Sequence, residues 1–145
     1  MSLEDDVRWL KDRERIRELP QIYAHGVDTR DWKQVRSVFD DTCHVDGMMG
    51  SLPIDAYLEK LRPGVEAYPA TLHFMGNQYV RIDGDRGHVE TYAVAYHMEA
   101  EASPHPDLVM GVRYLDDTVR RGDGWRIARR STIRQWHRGP FPRPV

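Results

Sequence analysis

Four residues of the chain have side chains suited to moving protons at carbon. Tyr23 and Asp28 lie in Tyr23-Ala-His-Gly-Val-Asp28-Thr-Arg-Asp31-Trp32, His73 in Thr71-Leu-His73-Phe-Met-Gly-Asn77, and His97 in Ala93-Val-Ala95-Tyr-His97-Met. β-Elimination beside an electron-withdrawing group needs a base for a carbon-bound proton and an acid for the leaving group. An imidazole suits both tasks near neutral pH, and a carboxylate bonded to it orients the ring and stabilises the imidazolium that forms. A tyrosine hydroxyl would donate to the substrate carbonyl as enolate charge develops, and a second histidine would hold or protonate the leaving oxygen. Each residue also has a plainer reading. Asp28 can be a turn carboxylate, Tyr23 a core tyrosine, and the histidines ordinary strand residues. Asp31 is placed to cap the helix that follows. Asp28 has no such task, and a carboxylate at the C-terminal end of a helix is electrostatically unfavourable.

These residues need elements to carry them. From Asp5 to about Thr29 the apolar positions Leu10, Ile16, Leu19, Tyr23 and Val27 recur at helical steps. Pro20 should bend or split this helix, and Gly26 should weaken its last turns. A short helix is expected over Trp32 to Phe39, a short strand over Thr42 to Asp46, and a further helix from Pro53, ended by Pro63-Gly64. The second half changes character. Thr71 to Ile82 and His88 to Ala100 read as strands joined by Asp83-Gly-Asp-Arg-Gly87. Leu108 to Arg121 and Trp125 to Trp136 read as strands joined by Gly122-Asp-Gly124. By alternation His73, Met75, Asn77 and Tyr79 share one strand face. Residues 138–145 are too rich in proline for a regular element. The fold class is therefore α+β: a cone-shaped, curved antiparallel sheet wrapped around N-terminal helices, with a pocket in its open end.

Composition narrows the function. At 145 residues, 40% hydrophobic and 30% charged, the chain suits one folded domain over residues 1–145. A formal charge of −2 argues against a polyanion-binding surface and a nucleic-acid partner. Arg120, Arg121, Arg126, Arg129, Arg130, Arg134 and Arg138 crowd the last hairpin, but only Trp125 and Trp136 bracket them, so base stacking is not indicated. Arg126, Arg130 and Arg134 alternate onto what reads as a solvated outer sheet face or a subunit contact. The single cysteine, Cys43, excludes an internal disulfide and a multi-thiolate zinc site. Two imidazoles and a carboxylate are a zinc ligand set by type, yet no His-Glu-x-x-His spacing occurs, and a metal-free, cofactor-free site is expected. No run is long enough to span a bilayer, and the acidic N-terminus does not read as a signal peptide, so no membrane partner and a cytoplasmic location are expected.

Together these segments resemble the SnoaL-like family of the nuclear-transport-factor-2-like superfamily. The resemblance is carried by Asp12-Arg-Glu-Arg-Ile-Arg-Glu-Leu19, by the Tyr23–Trp32 and His73–Asn77 stretches, by Glu90–His97, by Gly111-Val-Arg-Tyr and by Arg121-Gly-Asp-Gly-Trp-Arg-Ile. Within the family the chain is most similar to the dehydratases, scytalone dehydratase and bile-acid 7α-dehydratase among them. The resemblance implies a cofactor-independent lyase, a dehydratase or an isomerase of related chemistry, acting on a small cyclic or polyketide-like hydroxy-carbonyl compound. It places Asp28 and His73 on the catalytic pair, with Tyr23 and His97 binding substrate. Val27 stands where scytalone dehydratase has a tyrosine, which argues against scytalone itself. An open curved sheet leaves its convex face to be covered, so a homo-oligomer is expected, and the resemblance implies a dimer or trimer. A non-catalytic small-molecule binding or protein-interaction domain of the same fold is the alternative.

Overall fold

The computed structural model describes residues 1–145. Helix α1 spans Leu3–Thr29, α2 Trp32–Ser37 and α3 Ile54–Glu66. The strands are β1 Phe39–Gly47, β2 Gly50–Pro53, β3 Ala70–Asp83, β4 Arg86–Met98, β5 Leu108–Arg121 and β6 Gly124–Arg138. They form one sheet in the order β2-β1-β6-β5-β4-β3. The sheet is curved and unclosed, and the helices lie across its inner face, as an α+β cone requires. It is not wholly antiparallel: β1 runs parallel to β6. No helix is long and apolar enough to cross a membrane.

Local chemistry explains most boundaries. Ser2 and Asp5 form a reciprocal capping box, so α1 starts two residues before the expected Asp5. Pro20 neither splits nor ends α1, because packing of Ile16, Leu19 and Tyr23 against the sheet holds the helix across the missing donor. Gly26 marks a close approach: a Cβ there would lie 2.8 Å from Val35 Cγ2, so glycine lets α2 lie against α1. Asp31 caps α2 through the Gln34 N–H, 3.0 Å away. Pro63-Gly64 does not stop α3, which runs to Glu66, and Ser51 and Leu52 belong to β2.

Two bulges decide which side chains face inward. On β3 the pairing with β4 shifts between Met75 and Gln78. Thr71, His73 and Met75 point to the helices, and beyond the bulge Gln78, Val80 and Ile82 take over that face. Asn77 and Tyr79 are therefore exposed, and the expected four-residue face ends at Met75. On β6 the pairing with β5 shifts at Ala128. Trp125 and Ile127 face inward before it, Arg130 and Thr132 after it. Arg130 is fully buried and is not part of a solvated face, while Arg126 and Arg134 remain exposed. Its guanidinium forms a two-point ion pair with buried Asp116, at 2.7 and 2.8 Å.

The narrow end of the cone is closed by polar clasps. Arg120 reaches both oxygens of Asp12, at 2.9 and 2.8 Å, and Trp125 Nε1 donates to the same carboxylate. Arg121 holds Asp40, whose carboxyl is lowered to about 2 by that contact and by Thr42. Cys43 is buried in the core, and burial raises its thiol to about 12, which suits a packing residue and not a nucleophile.

Candidate active site

The open end of the cone brings the four expected residues together. Asp28 leaves the last turn of α1, where the exposed helix carbonyls oppose its charge. Three donors offset that penalty. Asp28 Oδ1 accepts from Thr71 Oγ1 at 3.0 Å and from His73 Nδ1 at 2.8 Å, and Oδ2 accepts from the His73 backbone N–H at 2.7 Å. Burial works to raise the Asp28 pKa. The hydrogen bonds from the His73 side chain and backbone and from Thr71 outweigh it, and the carboxyl sits below its ordinary range. An ionised carboxylate only accepts, so the proton of the neutral His73 ring is assigned to Nδ1, and Nε2 keeps its lone pair.

Behind this pair stands Arg30, the C-cap of α1, in a left-handed conformation with φ 62. Its guanidinium donates to Thr71 Oγ1 at 2.7 Å and to the carbonyls of Val27 and Tyr68 at 2.9 and 3.2 Å. Thr71 thus accepts from Arg30 while it donates to Asp28, and the helix end, the Tyr68 segment after α3 and β3 are locked around the carboxylate.

In front of His73 lies a cavity of about 60 Å³ lined by Tyr23, Tyr57, His73, His97, Tyr114, Thr132 and apolar side chains. It adjoins an outer chamber of about 410 Å³ whose wall includes Met48, Met49, Leu61, Leu108 and Phe141. The two spaces share seven lining residues, Tyr57, His97 and Thr132 among them. Asp28 and His73 also border an open cleft on the helix side, so the pair stands between the cavity and the surface.

The rings of His73 and His97 are 5.9 Å apart at 74°, and those of Tyr23 and His73 are 6.4 Å apart at 79°. Burial lowers His97 to about 4, with the nearby His73 adding to the effect. The ring is therefore neutral near pH 7. It can hold a leaving oxygen by a hydrogen bond, but it does not supply an imidazolium proton, which narrows the role expected for it. Its Nδ1 has no partner, and neither does Thr132 Oγ1. An unsatisfied buried polar atom costs about 1–3 kcal/mol.

Tyr23 is buried, and that burial raises its hydroxyl pKa, although Arg130 and bonding to Tyr57 and Tyr114 act in the opposite direction. The Arg130 guanidinium lies 4.2 Å from the Tyr23 ring centre and 4.5 Å from that of Tyr114. A protonated tyrosine cluster with a fixed cation beneath it can donate to a carbonyl and favour negative charge there. No three His, Cys, Asp or Glu side chains are placed to hold a metal ion.

Sequence reasoning missed Arg30, Thr71, Tyr57, Tyr114, Arg130 and Thr132 as members of this region. Tyr57 lies on the buried face of α3 with Ile54 and Val65. Arg130 and Thr132 are turned inward by a bulge that leaves no mark in a residue pattern.

Comparison with known proteins agrees with this architecture. The family model of the SnoaL-like domain matches residues 8–131, and the chain belongs to that family. An uncharacterized protein of Mycobacterium tuberculosis is 30% identical over 128 residues, which are 83% of this chain and 84% of that protein. A crystal structure of a protein from Kribbella flavida matches with a TM-score of 0.79 at 26% identity, over 88% of this chain and 93% of that one. A scytalone dehydratase-like protein of Novosphingobium aromaticivorans matches with 0.81 at 19% identity, over 97% and 99% of the two chains. A hexachlorocyclohexane dehydrochlorinase of Novosphingobium barchaimii matches with 0.81 at 15% identity, over 97% of each. These similarities place the fold in the nuclear-transport-factor-2-like superfamily.

Proposed function

We propose that the protein is a cofactor-independent lyase that eliminates water from a small cyclic or polyketide-like hydroxy-carbonyl compound. The observation that carries this reading is the Asp28–His73 contact of 2.8 Å beside the cavity. In this account His73 Nε2 takes the proton from the carbon next to the carbonyl, while the tyrosine cluster at Tyr23 donates to the carbonyl oxygen. The enolate expels the β-hydroxyl, the imidazolium of His73 returns its proton to that oxygen, and water leaves. Asp28 holds the ring in its tautomer and stabilises the imidazolium. His97, neutral, keeps the departing oxygen in place. The same proton transfers without expulsion would make an isomerase, and a leaving group other than hydroxide would use the same pair.

The test is to incubate the protein with a panel of cyclic β-hydroxy ketones and follow the absorbance of the conjugated enone. Turnover that falls about 10²–10⁴-fold in His73→Ala supports the reading. Turnover unchanged in both His73→Ala and Asp28→Asn overturns it and leaves a binding domain of the same fold. The proposal extends to a homo-oligomer, because the outer sheet face exposes Leu72, Phe74, Tyr79, Tyr92 and Trp136. Light scattering coupled to gel filtration would read the assembly directly.

A further inference from the structure

We propose that Thr132 is a second anchoring point of the pocket, so that one substrate presents two separated oxygen functions, one to the Thr132 hydroxyl and the other to the His97 ring. The proposal deepens the lyase reading and rests on it for the choice of cavity. Five buried side-chain atoms lack a partner: Arg17 Nε, His97 Nδ1, Thr118 Oγ1, Arg130 Nη1 and Thr132 Oγ1. Of these residues only His97 and Thr132 line the cavity in front of His73, and both also line the outer chamber.

The wall around Thr132 offers its hydroxyl no partner. The neighbouring wall is Met48, Leu61, Val65, Met110 and Val112, and the tyrosine hydroxyls bond among themselves. Valine has the shape of threonine without the hydroxyl, and it would fill an apolar wall without a stranded polar atom. A threonine held in that wall by the Ala128 bulge, with its oxygen free, is what a recognition site requires and what packing alone disfavours. His97 sits on β4 and Thr132 on β6, with β5 between them. The two anchors are therefore separated, and a single hydroxyl does not occupy both. The ligand class is a compact apolar body with a carbonyl or hydroxyl near His97, beside the proton-transferring ring, and a second hydroxyl or carbonyl towards β6. Neutral His97 and the threonine hydroxyl each pair with an uncharged oxygen, which sets this class apart from carboxylates and phosphates.

Indane, 1-indanone, 5-hydroxy-1-indanone and 6-hydroxy-1-indanone are rigid probes with zero, one and two oxygen functions. Their dissociation constants would be measured by titration calorimetry on the wild-type protein and on Thr132→Val. The wild type should bind at least one hydroxy-indanone roughly 3–10-fold more tightly than 1-indanone, the range of one added neutral hydrogen bond. Thr132→Val should lose that preference, keep its affinity for 1-indanone, and melt no lower than the wild type. A wild type with no preference for either hydroxy isomer, or a Thr132→Val protein that keeps the preference, overturns the inference. A Thr132-dependent preference in a protein that catalyses no proton transfer supports the inference and counts against the lyase reading alone.

Discussion

His73 and the Asp28 carboxylate are joined by two hydrogen bonds, ring Nδ1 to Oδ1 at 2.8 Å and backbone N–H to Oδ2 at 2.7 Å. One carboxylate therefore fixes both the histidine's backbone and its ring. Thr71, braced by Arg30, fixes the carboxylate in turn. The ring needs no further partner to hold its tautomer.

Replacing Asp28 with asparagine should release the tautomer. The amide cannot accept all three hydrogen bonds through two oxygens, and it cannot stabilise an imidazolium by charge. Long-range ¹⁵N spectra of His73 should report the Nδ1–H form in the wild type and a mixture of both tautomers in Asp28→Asn.

His97 makes stability depend on pH. Its folded pKa of about 4 lies below the ordinary 6.5, so protonation favours the unfolded chain. The stabilising effect of keeping this ring neutral is complete above pH 6.5 and is lost as pH falls from there towards 4, by on the order of 3 kcal/mol. Urea titrations between pH 7 and 4 should show a steep fall in unfolding free energy, and His97→Gln should flatten it.

Arg130 and Asp116 are both fully buried, so removing one leaves the other charged and unpaired. Arg130→Met should cost about 3–5 kcal/mol in chemical denaturation, and the double variant Arg130→Met/Asp116→Leu should recover much of that loss. Equal stability of the single and double variants would show that the pair is not coupled.

Gly26 tests a conflict of two effects. Alanine improves helix propensity by about 1 kcal/mol, but its Cβ would meet Val35 Cγ2 at 2.8 Å and the Asp31 carbonyl at 3.1 Å. The crowding atoms include backbone, so overpacking should win, and Gly26→Ala should lower stability by about 1–2 kcal/mol in thermal unfolding.

Much of this molecule was legible because its signals are local. Apolar spacing on α1, the glycine turns after Asp83 and Arg121, and Asp31 as a cap each depend on a few adjacent residues. Asp28 stood out because a helix end gave it no reason to be there, and its partners proved to be on β3. The unread parts depend on contacts far apart in sequence. The Met75/Gln78 shift ended the expected face of His73, Met75, Asn77 and Tyr79, and the Ala128 shift moved Arg130 from an assumed outer face into the core. Pro20 and Pro63 were overruled by packing. The parallel β1–β6 pair and the Arg30–Thr71 brace arise only when the sheet curves around the helices.

The central claim, that His73 supported by Asp28 removes a proton from carbon, is tested most directly by hydrogen–deuterium exchange. The α-hydrogens of 1-indanone in D₂O would be followed by ¹H NMR with wild type, His73→Ala and Asp28→Asn, at concentrations where binding has been verified. The account predicts exchange well above the buffer rate with the wild type and a loss of about 10²–10⁴-fold in each variant. Exchange at the buffer rate with bound wild type, or equal exchange in all three proteins, would contradict it.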